Sequence, residues 1–97
     1  MIAELQVLPR PSGTDDDPHA HVEAAIAAIE ASGLHHEVSA LGTTFEGAPD
    51  QVWAALRAAQ EATLAVGAQF TISFIKLAEG VDDNGPTMDR LTAKFRD

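Results

Sequence analysis

A chain of 97 residues, 45% of them apolar, is long enough for one packed core and too short for two. Acidic residues outnumber basic ones 15 to 6, and the net charge of −9 repels phosphate backbones and anionic lipid, which argues against nucleic-acid and membrane-surface partners. Cysteine is absent, so there is no disulfide framework, thiolate metal site or cysteine nucleophile.

Ile2-Ala-Glu-Leu-Gln-Val-Leu8 alternates with period two and predicts a strand, which Pro9 and Pro11 are expected to end. After a polar loop, Asp17-Pro18 reads as a cap and first helical residue. The helix from Pro18 to about Ser32 carries Val22, Ile26 and Ile29 on one face, and Gly33 stops it. His35 to Ala40 and Thr43 to Gly47 predict a hairpin turning at Leu41-Gly42. Pro49 opens the longest helix, striped with Val52, Leu56, Ala59, Thr63 and Val66. Phe70 to Leu77 alternates again as a fourth strand. A loop over residues 78–86 follows, and Thr87 caps a short helix with Met88, Leu91 and Phe95 on one side.

The order β-α-β-β-α-β plus a helical tail predicts a single domain: an α+β, ferredoxin-like sandwich. Its four-stranded antiparallel sheet carries two helices on one face, with strands one and three central and strand four beside strand one. Strand side chains alternate between faces. Placing the more apolar set under the helices assigns Ala3, Leu5, Val7, Val38, Ala40, Phe45, Phe70, Ile72 and Phe74 to the core side. The open face then receives Glu4, Gln6, Thr44, Glu46, Thr71 and Ser73, with Ile2, Leu8 and Ile75. Such a half-apolar face tends to be covered by a second sheet. Its enclosed carboxylates then need donors from a bound molecule.

No metal or catalytic centre is predicted. His19 and His21 share a helix turn and His35 and His36 are neighbours on a strand, and neither pair has the i, i+4 spacing of helical metal ligands. All four are expected at the surface or at helix ends. Trp53 is expected at a partly buried helix edge. Ser12-Gly13-Thr14 before the first helix suggests an anion nest, but Asp15, Asp16 and Asp17 follow at once and repel an anion. There is no P-loop, dinucleotide fingerprint or serine elbow. No apolar run approaches the roughly 20 residues that cross a bilayer, and no charged leader with a cleavage site is evident, so the expected compartment is the cytoplasm.

The opening Met1 to Pro9, Ser32-Gly-Leu34, Gly42-Thr-Thr-Phe-Glu-Gly47, Gly67-Ala68 and Ile75-Lys76, in this order along the chain, resemble the family of small thiamine-binding proteins. The resemblance implies a ferredoxin-like fold, sheets packed face to face in homodimers that pair as homotetramers, and binding of thiamine or its hydroxymethylpyrimidine part without turnover or cofactor. It carries over Gly42, Thr43, Thr44, Glu46, Gly47 and Lys76 as ligand-binding residues, beside Glu4, Gln6 and Ser73 from the open face. Ala78-Glu79-Gly80 stands where a more basic stretch is expected, so an unphosphorylated ligand is expected over the diphosphate. Two other readings remain open: an enzyme on a dimeric α+β barrel, and a purely structural or regulatory oligomerisation module.

Overall fold

A computed structural model describes residues 1–96. The elements are β1 (Ile2–Arg10), α1 (Ala20–Ala31), β2 (His35–Ser39), β3 (Gly42–Glu46), α2 (Pro49–Ala65), β4 (Phe70–Ala78) and α3 (Met88–Thr92). The strands form one antiparallel sheet in the order β2-β3-β1-β4, the ferredoxin-like arrangement predicted from the element order.

The core lies between the sheet and the α1/α2 layer. Ala3, Leu5, Val7 and Phe45 project from the sheet, Ala25 and Ile29 from α1, and Val52, Ala55, Leu56 and Ala59 from α2. Alanines at the facing positions let the two helices approach closely, and Phe45, fully buried, supplies the largest central volume. Gln51 accepts a hydrogen bond from the Ala48 N–H at 3.0 Å and, with Pro49, starts α2. Thr87 Oγ1 accepts from the Arg90 N–H at 3.2 Å, as expected of a cap on α3.

The face assignment of β4 is reversed from expectation. Antiparallel partners share a face, and the register pairs Leu5 with Ile75, Val7 with Ser73 and Pro9 with Thr71. Thr71 and Ser73 therefore lie under the helices: Thr71 Oγ1 meets Thr63 Oγ1, and Ser73 Oγ donates to Gln60 Oε1 at 2.8 Å. Phe70, Ile72 and Phe74 lie on the open face, 55%, 49% and 57% exposed. Polar side chains from α2 occupy the helix-side contact with this edge strand, and the aromatics are left outside.

β1 also runs further than expected. It continues through Pro9 to Arg10, paired with β4 along its whole length. Met1 and Gly47 exchange both backbone bonds, Met1 N to Gly47 O at 2.9 Å and Gly47 N to Met1 O at 3.1 Å. In an antiparallel ladder this phase alternates, so odd-numbered residues of β1 direct their backbone groups toward β3 and even-numbered ones toward β4. Pro9 is odd, and its missing N–H lies on the side where β3 has already ended.

His21 lies in the first turn of α1, at a helix end as expected, and is buried there. It is 3% exposed, and its Nδ1 lies 2.7 Å from the Pro11 carbonyl oxygen, tying α1 to the loop after β1. Trp53 is half exposed, consistent with a helix edge.

Truncating Phe45 to Ala should lower the unfolding free energy by about 3–5 kcal/mol through lost burial and the cavity left behind. Chemical denaturation of the two proteins measures the difference, and a loss below about 1 kcal/mol would contradict this account of the core.

Candidate functional site

The C-terminal tail lies across half of the open face. The Glu46 carboxylate accepts from the Met88 N–H at 2.9 Å, His35 Nε2 lies 3.7 Å from Asp89, and the Arg96 guanidinium pairs with Glu37. The hydrogen bond and charge of Glu37 raise the Arg96 pKa above its ordinary value. Met88 is buried there, while Leu91 and Phe95, expected on the same side, are exposed. The tail therefore takes the β2–β3 half of the face and leaves the β1–β4 half open.

On that open half, Glu4, Gln6, Phe74 and Lys76 line a concavity of about 460 Å³ with Leu41 at its rim. Glu4 and Lys76 are cross-strand partners, their charged ends 3.6 Å apart. Thr44 is the β3 partner of Glu4 and shares its face. An exposed pair of this kind contributes at most about 1 kcal/mol to stability, so both charges remain available to a ligand.

A second concavity lies on the opposite side of the sheet. It is bounded by Val22, Ile26 and Ile29 of α1, Leu5 and Val7 of β1, and the β2–β3 turn with Gly42 and Thr43, and encloses about 170 Å³. Gln6 and Leu41 border both hollows, so the two meet at the rim where β3 stops and β1 continues.

The nine sequence-predicted residues are thus divided. Glu4, Gln6, Thr44 and Lys76 come together on the open face, and Gly42 and Thr43 line the helix-side slot. Ser73, predicted for the open face, points at α2 instead. Glu46 does lie on the open face, but the tail engages it. Gly47 sits beyond the end of β3, where its carbonyl takes the Met1 ammonium. The motif glycines have packing reasons of their own: a Cβ would lie 3.0 Å from the Leu5 carbonyl oxygen at Gly42, and 2.9 Å from Leu34 Cδ2 at Gly47. Val7 and Phe74 also border the hollows and were assigned to the core. Among the described residues no three His, Asp or Glu side chains converge as metal ligands would. No helix is long and apolar enough to cross a membrane among them.

The model of the family described as "Thiamine-binding protein" matches residues 3–96. This chain belongs to the thiamine-binding protein family. A UPF0045 protein of Clostridium perfringens is 34% identical over 92 residues, covering 95% of this chain and 93% of the relative. A solved domain of unknown function from Bacillus cereus superposes with a TM-score of 0.87 at 31% identity, over 99% of this chain and 89% of that one. A Thermotoga maritima structure, named for a proposed role in thiamine biosynthesis or salvage, shares the fold at 20% identity. Its TM-score is 0.81, over 98% of this chain and 97% of that one.

Because Glu46 holds the start of the tail, Glu46→Gln should loosen the tail rather than unfold the domain. The Met88 amide should exchange its hydrogen on the order of tenfold faster, the loss of a charge-assisted bond costing roughly 1.5 kcal/mol at this partly exposed site. Unchanged Met88 exchange in Glu46→Gln would remove this carboxylate from the tail's anchorage.

Proposed function

We propose that this protein binds thiamine or its hydroxymethylpyrimidine part without chemical turnover, as a homodimer or homotetramer formed through the open sheet face. Membership of the thiamine-binding family supports the ligand class. The observation that carries the site is the trough around the free half of β1. Two hollows, one apolar and one lined by the Glu4–Lys76 pair with Gln6 and Phe74, meet at Gln6 and Leu41, and together they offer an apolar wall to a neutral ring and a carboxylate to a cationic one.

The chemistry follows from the side chains. Glu4 offers a carboxylate to the fixed positive charge of a thiazolium, and the net charge of −9 reinforces that attraction. Phe74 presents an exposed ring for stacking. Gln6 and Thr44 can each donate and accept. The same acidity disfavours added phosphate, so the unphosphorylated ligand should bind more tightly than the diphosphate. Catalysis would require a nucleophile or a converging acid/base pair. The trough carries neither, because Glu37 and Glu46, the other strand carboxylates of the face, hold the tail.

The exposed row Phe70, Ile72 and Phe74 supports association through this face, since apolar contiguous surface of this kind is usually covered by a partner. A second sheet laid on it would shield the Glu4 hollow from water and strengthen its electrostatics.

Ligand at a hundred times Kd should stabilise the fold by about 2.7 kcal/mol, a rise in melting temperature on the order of 10 °C. Thermal shift with thiamine and hydroxymethylpyrimidine reads this directly, and no rise with either at millimolar concentration sinks the proposal. Glu4→Gln should weaken thiamine about tenfold by calorimetry, as expected for loss of a charge-assisted contact. Ile72→Glu should shift the protein to monomer in light scattering. An unchanged oligomer would show that the face is not the interface.

A further inference from the structure

The tail does more than cover half of the open face. Its buried side chain is Met88, whereas Leu91 and Phe95, four residues apart, turn to solvent at 57% and 79% exposure. The domain's own core leaves this apolar ridge unused. Cations flank it: residues 88–96 hold three of the chain's six basic side chains, Arg90, Lys94 and Arg96, against the single acid Asp89, in a protein of net charge −9. Arg96 is paired within the chain to Glu37, and the Lys94 ammonium lies 5.4 Å from the centre of the Phe95 ring.

The uncovered strip of β1 and β4 is the counterpart of this ridge. It presents Phe70, Ile72 and Phe74, and Glu79 directly follows the end of β4. Register relates the two: Glu37 pairs with Thr44, Thr44 with Glu4, and Glu4 with Lys76. The tail, tied down at Glu37, therefore stands level with Glu4 and Lys76 on the other side of the same sheet. Sheets packed face to face keep their strand directions nearly aligned. A two-fold axis parallel to the strands, between β3 and β1, exchanges the two halves of the face and preserves level. It lays each tail on the bare strip of the other copy, so one contact of ridge with strip occurs twice. A two-fold axis across the strands would instead set tail half against tail half and leave a gap between the bare strips.

Area and charge agree with a second copy as the occupant. Phe70, Phe74 and Phe95 leave on the order of 400 Å² uncovered, at roughly 200 Å² for each whole side chain. That is about half of the roughly 800 Å² that each partner contributes to a stable interface. Two chains of net charge −9 repel one another, and the tail brings local positive charge to the acidic end of the facing strip.

We propose that each copy covers the other's bare strip with its C-terminal tail. The partner's Leu91 and Phe95 pack beside Phe74, and the partner's Arg90 and Lys94 face the end of the strip at Glu79. This rests on the open-face association proposed above and adds to it which element meets which. It also makes the hollow beside Glu4 a site of two chains, walled by β1 and β4 of one copy and closed by the tail of the other.

The absence of cysteine permits a direct test. Leu91→Cys protein is mixed with Lys76→Cys protein and treated with a short bis-maleimide. Mixed dimers should form at least about tenfold faster than when Asp15→Cys, in the loop before α1, replaces Lys76→Cys. Phe95→Ser, at a side chain that the single domain leaves exposed, should weaken self-association about tenfold or more in sedimentation while the amide spectrum stays dispersed. Lys76→Cys that links to itself and not to Leu91→Cys sets strip against strip. That result, or undiminished association of Phe95→Ser, overturns the tail's role and leaves open-face association standing. A wild-type protein that stays monomeric at its highest soluble concentration overturns both.

Discussion

The organisation of this protein depends on a mismatch of strand lengths. β1 has nine residues and pairs with β4 along all of them, whereas β3 has five and pairs only with its first half. A sheet that ended flush would leave no interior edge beside the helices. Because the β2–β3 turn lies at Leu41, β1 continues past Leu5 paired with β4 but not with β3, Pro9 is accommodated without losing a ladder bond, and a slot opens between β1 and α1. The hollow on the opposite face meets the same discontinuity at Gln6 and Leu41.

The tail complements this arrangement. By engaging Glu46, Glu37 and His35 it covers the β2–β3 half of the open face. What remains uncovered is the strip of β1 and β4 holding Glu4, Gln6, Phe74 and Lys76 next to the aromatic row. One chain thus divides its sheet face between a part covered by its own tail and an uncovered strip, and the hollow beside Glu4 lies on the uncovered strip.

Much of this was legible in the sequence. The element order predicted the sheet, and period-two alternation in β1 and β3 placed Glu4, Gln6 and Thr44 on a common face. β4 shows where the pattern runs out. Its alternation is clear, but period two defines two sets of side chains without saying which set faces the helices. The more apolar set, Phe70, Ile72 and Phe74, was assigned inward by hydrophobicity. At an edge strand, however, Gln60 and Thr63 of α2 provide polar partners for Ser73 and Thr71, and the aromatics are free to serve an outer surface. Ser73 left the candidate site for that reason. Glu46 was placed on the correct face, but its attachment to Met88 depends on where a loop returns, which no local pattern encodes. The burial of His21 likewise depends on the path of the loop carrying Pro11.

The central claim is that a ligand occupies the discontinuity between β1 and β3, and a crystal structure of the complex with thiamine tests it most directly. The account predicts thiamine in the trough where the two hollows meet at Gln6 and Leu41, with the thiazolium beside the Glu4 carboxylate. Thiamine bound elsewhere, for instance under the tail beside Glu46 and Gly47, with the slot empty, would contradict it.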